Sequence, residues 1–214
     1  MQLFMRGLVP AHLVHQLAAR PSQVWNTELT LPAGAFVFVE APSGRGKTTL
    51  INMLYGLRTD YAGTISFDHH NMQQLSDDQL SQLRARSLSI VFQDLRLFPS
   101  LTAQENIEAK RLLANAVSAE EVRSWMDQLG IADKAHAKAD TLSFGEQQRV
   151  AIIRALAQPF SWLLMDEPFS HLDVANRQRA IDLIDSEVRR RNAGIMLTDL
   201  DANNFFTYSH TLMM

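Results

Sequence analysis

The chain has no cysteine, which rules out disulfides and thiolate-bound metal and fits a reducing compartment without proving one. Long apolar runs are missing too. Nowhere do the roughly 18 apolar residues of a membrane-spanning helix stand together, and the longest strings, AFVFV and WLLM, have the length of buried strands. The opening MQLFMRGLVPAHL holds one arginine and too short an apolar run for a secretory leader, so a soluble chain is expected. Neither sign of charge dominates: 20 Lys and Arg against 23 Asp and Glu leave a formal net charge of −3, which makes no electrostatic case for nucleic acid. Repeats and low-complexity tracts are absent. What is present is an ordinary globular balance, 46% hydrophobic and 20% charged over 214 residues, enough for one sizeable domain with room for an inserted subdomain.

Patterning divides the chain into alternating elements. Up to about residue 40, short apolar pieces are broken by Pro10, Pro21, Pro32 and Gly34, which predicts strands and turns. Ala35 to Glu40, β-branched and aromatic, reads as a strand buried on both faces. TTLINMLYGL follows with helical spacing and Gly56 as its C-cap. TISFD and SLSIVFQD read as strands, with the Ser-capped helix SDDQLSQLRARS between them. From about Leu95 to Leu142 the pattern is helical and includes a capping box from Ser118 to Glu121. EQQRVAIIRALA is a helix ending before Pro159, WLLMDE a strand, VANRQRAIDLIDSEVRRRNA a helix, and GIMLTD and TLMM the last strands. Strand–loop–helix units on either side of a helical stretch imply an α/β fold with a parallel sheet and a helical insertion.

Three stretches carry chemistry. EAPSGRGKTTL, Glu40 to Leu50, nearly spells G-x-x-x-x-G-K-[ST], in which glycines let successive N–H groups point at phosphate oxygens and the next helix adds its positive end. Lys47 then faces the β- and γ-phosphates and the Thr48 hydroxyl ligates Mg²⁺. Ala41 stands where the first glycine belongs, tolerable if its φ stays negative. A plain turn between strand and helix is the competing reading. WLLMDEP places Asp166 and Glu167 at the C-terminal edge of a parallel sheet, where ligands sit. Asp166 suits a metal and Glu167 suits polarising a water, although a solvated strand end explains the same residues. TLSFGEQQRVAIIRAL opens a helix on Ser143 and Gly145, a second anion site. Two such sites facing different ways make sense if one serves a nucleotide held by a second copy.

APSGRGKTT, VFQD, LSFGEQQRVAIIRAL, LLMDEP and SHLD stand in the order and spacing of the ATP-binding-cassette ATPases, and over nearly the whole chain the sequence resembles that family. The resemblance implies a P-loop NTPase (RecA-like) core with an N-terminal antiparallel β subdomain and an inserted α-helical subdomain. Residues 1–214 then form a single nucleotide-binding domain, with about 1–94 and 146–214 as core and β subdomain and about 95–145 as the helical signature subdomain. It implies that two cassettes pair head to tail around two ATP. Pro42, Ser43, Gly44, Arg45, Gly46, Lys47, Thr48 and Thr49 would hold ATP, with Thr48, Gln93 and Asp166 around Mg²⁺. Glu167 would be the general base, with Gln93 and Lys47 beside it in the catalytic set. Ser143, Gly145 and Glu146 would reach the partner's γ-phosphate, and Asp173 would link the two sites.

The stretch from Ile65 through Gln93 to Ile107 is similar to bacterial cassettes of the lipoprotein-release, macrolide-export and cell-division group. Those pair with a separate integral-membrane permease whose periplasmic parts are moved by ATP hydrolysis on the cytoplasmic side. This implies a peripheral protein on the cytoplasmic face of the inner membrane, driving an exporter or mechanotransmission complex, with periplasmic partners reached only through the permease. Arg96, Leu97 and Phe98 are the candidates for permease contact, and ordinary core is the competing reading for Leu97 and Phe98. No regulatory C-terminal domain is expected, and no partnership with nucleic acid.

Departures from the family pattern set the doubtful points. Phe144 replaces a glycine of the signature and Glu146 a glutamine. Asp199 stands where the family has a histidine that contacts the γ-phosphate. A carboxylate there repels a triphosphate unless it is protonated, turned away or engaged, so slow hydrolysis, or an ATP-gated dimerising module with weak turnover, is the alternative. His210 aligns with the start of the final strand and does not replace the missing histidine. For the adenine ring, His15 and Trp25 are the candidates, and Trp25 also fits a core position.

Overall fold

The computed structural model describes residues 1–14 and 21–214. Two sheets carry the architecture. Strands β1 (Leu3–Pro10), β2 (Glu28–Leu31), β4 (Tyr61–Phe67) and β5 (His70–Asn71) form an antiparallel sheet in the order β2-β1-β4-β5. Strands β3 (Phe36–Glu40), β6 (Leu88–Val91), β7 (Trp162–Asp166), β8 (Gly194–Asp199) and β9 (His210–Met213) form a parallel sheet in the order β6-β7-β8-β3-β9. The expected α/β P-loop core and antiparallel β layer are both present.

Period-two alternation explains how the parallel sheet joins two cores. Phe36 and Phe38 of β3, Leu163 and Met165 of β7, and Ile195 and Leu197 of β8 pack on one face, against the helices. Val37, Val39, Trp162, Leu164 and Met196 pack on the other, against Leu3, Met5, Ile65 and Phe67 of the antiparallel sheet. TISFD belongs to a longer strand that starts at Tyr61, because pairing with β1 extends it upstream.

Six α-helices are described: α1 (Lys47–Leu54), α2 (Asp77–Arg86), α3 (Ala103–Ala114), α4 (Ala119–Gln128), α5 (Phe144–Leu156) and α6 (Val174–Arg190). Four of them begin with a capping box. Ser76 with Gln79, Thr102 with Glu105, Ser118 with Glu121, and Ser143 with Glu146 exchange side-chain and backbone hydrogen bonds reciprocally. The helical pattern read from Leu95 begins later, at Ala103, because Leu95 and Arg96 take positive φ (58° and 48°) in a loop. Asn106, fully buried on α3, ties that loop down: it accepts the Phe98 N–H at 2.7 Å and donates to the carbonyls of Phe98, Leu101 and Thr102. Among the described residues no helix is long and apolar enough to cross a membrane.

Candidate active site

The loop between β3 and α1 has the backbone its glycines predict. Gly44 and Gly46 take φ of 78° and 97°, a region closed to most side chains. A methyl on Gly46 would also meet Leu13 at 2.8 Å and Trp25 at 2.9 Å. Ala41 is not among the residues with positive φ; it is fully buried, and its N–H donates to the Asp199 carbonyl at 3.1 Å. The missing first glycine is therefore accommodated. Trp25 braces the loop from below: it is buried, and its indole N–H donates to the Arg45 carbonyl at 3.1 Å. Trp25 is therefore core, with no free face for an adenine ring. His15 lies outside the described residues. The sequence reading passed over His12, an exposed ring just after β1 whose Nε2 lies 3.4 Å from Thr49 Oγ1.

Lys47 is almost wholly buried, and a buried ammonium needs partners. It donates to the Ala41 carbonyl at 2.8 Å and pairs with Glu167 Oε1 at 3.3 Å. Glu167 directly follows β7 and takes a φ of 47°, an uncommon conformation for a non-glycine residue. Its N–H donates to the Thr198 carbonyl of β8 at 3.0 Å, which fixes the carboxylate at the sheet edge. Gln93 Nε2 donates to Glu167 Oε2 at 3.3 Å, and the Thr48 hydroxyl donates to Gln93 Oε1 at 3.2 Å. The nearby Thr48 hydroxyl favours the charged form of Asp166, and Thr198 donates to Asp166 Oδ1 at 2.7 Å. Lys47, Thr48, Gln93, Asp166 and Glu167, drawn from three separate stretches of sequence, thus form one connected polar set.

Thr48, Gln93 and Asp166 offer only oxygen donors, one of them a carboxylate, which suits a hard cation such as Mg²⁺ that completes its shell with phosphate and water. Burial pushes the Asp166 carboxyl up, against the Thr48 hydroxyl and the hydrogen bond from Thr198 that hold it down. A nearby cation would favour its charged form.

Asp199 ends β8, in register with Glu40 of β3. Its Oδ1 accepts the Leu200 N–H at 2.7 Å, so the side chain is turned onto its own backbone. Burial raises the carboxyl's pKa first, and the nearby Glu167 charge raises it further, against Lys47 and the Leu200 N–H. His210 opens β9, as expected.

The signature residues make no hydrogen bond to this set among the described residues. Ser143 caps α5: its hydroxyl donates to Glu146 Oε2 at 2.8 Å and accepts the Glu146 N–H at 3.4 Å. Gly145 packs so closely that a methyl there would lie 3.1 Å from the His171 carbonyl. Phe144 is 55% exposed, and its ring packs on His171 with centroids 4.4 Å apart. Both rings line a cavity of about 390 Å³ that also reaches Thr48, Gln93 and Asp166. Asp173 caps α6, accepting the Asn176 N–H at 2.8 Å, which lowers its pKa. Of the loop after Gln93, Leu97 packs against the core whereas Phe98 is 55% exposed, and Arg96 lies over the Phe92 ring at 4.1 Å.

Comparison with known proteins places this geometry. The sequence profile of the ABC transporter family matches residues 24–170. The chain is 34% identical to the lipoprotein-releasing system ATP-binding protein LolD of Legionella pneumophila over 177 residues, 81% of this chain and 78% of that one. It is 35% identical to the macrolide export ATP-binding/permease protein MacB of Brucella melitensis over 173 residues, 79% of this chain but 27% of that one. It also spans 65% of an uncharacterised Thermotoga maritima ABC transporter ATP-binding protein and 26% of a pyoverdine export ATP-binding/permease protein of Pseudomonas aeruginosa. Among solved structures, a dimeric post-hydrolysis state of the ATP-binding cassette MJ0796 with ADP and Pi superposes with a TM-score of 0.77 at 28% identity, covering 93% of this chain and 88% of that one. With the family profile over most of its length and the phosphate loop, oxygen-donor set and carboxylate in place, the chain belongs to the ABC transporter family, as an ATP-binding cassette.

Proposed function

We propose that this chain hydrolyses ATP as the nucleotide-binding subunit of a bacterial transporter or mechanotransmission complex, pairing with a second copy around two ATP to drive a separate membrane permease from the cytoplasmic face of the inner membrane. The observation that carries this is the connected set of Lys47, Thr48, Gln93, Asp166 and Glu167 at the edge of the parallel sheet. Pro42, Ser43, Gly44, Arg45 and Gly46 lay the backbone around the phosphates. Lys47 exchanges Glu167 for the β- and γ-phosphate oxygens, which frees that carboxylate. Thr48, Gln93 and Asp166 would hold Mg²⁺, which would supply positive charge against the phosphates. Glu167 takes a proton from the attacking water as its oxygen bonds to the γ-phosphorus and the bond to the ADP oxygen breaks. Thr49 and the His12 ring flank the nucleotide further along α1.

Ser143, Gly145 and Glu146 face the γ-phosphate held by the second copy, and Asp173 sits at the helix start between the two sites. The Glu146 carboxylate, held low by its hydrogen bonds from Ser143, competes with a phosphate for the same hydroxyl. Phe98 and Arg96 meet the permease.

A second reading, an ATP-gated dimerising module with weak turnover, is favoured by Asp199 alone. It places a carboxylate rather than an imidazole beside Glu167 and Lys47, where its charge opposes the triphosphate. Asp199→His is expected to raise the steady-state ATPase rate about tenfold, roughly 1.4 kcal/mol off the barrier. An unchanged or lower rate would remove Asp199 as the cause of slow turnover.

A further inference from the structure

Residues 200–209 join β8 to β9, and aromatic rings fasten them to the helix-side face of the parallel sheet. Tyr208 stacks on Phe38 of β3 with centroids 5.1 Å apart, and Phe206 meets Phe36 edge-on at 6.0 Å. Phe205 meets Phe169, two residues past Glu167, at 5.2 Å. Alternation along β8 puts Asp199 on the same face as Leu197, whose partner in β3 is Phe38. The Asp199 carboxylate and the Tyr208 hydroxyl thus stand on one side of the sheet. Burial first, and then the Asp199 charge, push the pKa of that hydroxyl up.

One donor in this segment is left over. Asn203 Oδ1 accepts the Tyr208 hydroxyl at 2.6 Å and the Phe205 N–H at 3.4 Å. A backbone N–H can only donate, so the second bond fixes which end of the amide is oxygen. The other end, Nδ2, is buried and has no acceptor among the described residues. A buried donor in that condition is destabilising until an acceptor reaches it. Asp199 has the matching surplus: Oδ1 accepts the Leu200 N–H at 2.7 Å, whereas Oδ2 accepts no hydrogen bond among the described residues. Lys47 attracts the same carboxylate, so an unanchored Asp199 competes with a γ-phosphate for that ammonium.

We propose that Asn203 is a positioning residue for Asp199: its Nδ2–H takes Asp199 Oδ2 when ATP occupies the phosphate loop, which keeps the carboxylate off Lys47 and the γ-phosphate. Tyr208 holds the amide in the orientation this needs. The inference rests on the reading that ATP binds at Lys47, and it adds how a chain with a carboxylate at position 199 makes room for a triphosphate.

A double-mutant cycle on nucleotide affinity tests this, with calorimetry on the full chain using Mg²⁺, ADP and a non-hydrolysable ATP analogue. Asn203→Leu, similar in size, is expected to weaken binding of the ATP analogue about tenfold. Affinity for ADP, which has no γ-phosphate, is expected to change less than about twofold. In Asp199→Asn, which has no charge to place, the same Asn203→Leu change is expected to alter analogue affinity less than about twofold. Tyr208→Phe keeps the ring on Phe38 and removes the hydroxyl, so it shifts affinity in the same direction and carries the test should Asn203→Leu fail to fold. An equal loss in both backgrounds would make Asn203 merely structural and overturn the pairing. A loss that disappears in Glu40→Gln but persists in Asp199→Asn would hand the amide to Glu40, the carboxylate in register with Asp199, and overturn it as well. No loss in either background, with the analogue still bound by wild type, would overturn the pairing and leave the ATPase reading standing. A wild-type chain that binds no nucleotide would instead overturn that reading, and this inference with it.

Discussion

Glu167→Gln is expected to lower steady-state ATP turnover between about one hundred- and ten-thousand-fold, the range in which a positioned general base contributes. Glutamine keeps the size of the side chain and an oxygen that accepts from Gln93, so the Gln93 link at 3.3 Å can persist. What it removes is the proton acceptor and the charge that pairs with Lys47. Without nucleotide, that pairing loss leaves a buried ammonium with the Ala41 carbonyl as its hydrogen-bond partner. With ATP present the γ-phosphate takes over, so nucleotide is expected to stabilise this variant against heat more than it stabilises wild type. A rapid-quench measurement of the first turnover alongside a melting curve reads both effects. Equal first-turnover rates in the two proteins would take the base role away from Glu167.

Trp162→Ala carries the largest expected stability cost, about 3–5 kcal/mol, the usual range for emptying a buried tryptophan site. Trp162 opens β7, is fully buried, and lies in the core that joins the parallel sheet to the antiparallel one. Its ring lies 2.9 Å from where a methyl on Gly194 would stand, so the glycine at the start of β8 is shaped to receive it. The indole N–H donates to the Met1 carbonyl at 2.9 Å, fastening the N-terminal sheet to β7. Trp162→Phe keeps most of the ring and loses that hydrogen bond, and is expected to cost less than half as much. Denaturant titration with an unchanged slope would read both costs. Near-equal costs would mean that the hydrogen bond, and not the packing, holds the two sheets together.

The parts of this molecule that were legible in the sequence are those encoded locally. The capping box at Ser118 and the serine cap at Ser76 read correctly because the cap and its partner lie three residues apart. The strand Phe36–Glu40 was legible as buried on both faces, since its residues are apolar without alternation. The glycine turn between β3 and α1 was legible even with Ala41, because the glycines that need positive φ are the two that remain.

What could not be read depends on contacts between distant segments. Asn106 looks like any polar residue on a helix, and only the fold shows its amide holding three carbonyls of the preceding loop and its start. The Lys47–Glu167 pair spans 120 positions and joins two motifs that sequence reading can only treat side by side. Trp25 and His12 separate for the same reason: each is an aromatic near the loop, and burial alone decides that the first supports the loop and the second stands beside Thr49. Asp199 was legible as a departure, whereas its turn onto the Leu200 N–H was not.

That nucleotide joins two copies of this chain is tested most directly by the molar mass in solution, measured by light scattering at saturating ATP and Mg²⁺. The wild-type chain is expected to be a monomer of 24.1 kDa without nucleotide and to double its mass with ATP but not with ADP. Slow turnover at a site carrying Asp199 should keep the dimer populated in the wild type, and Asp199→His should shorten its lifetime. A mass that stays at the monomer value with ATP bound would contradict the paired-cassette account.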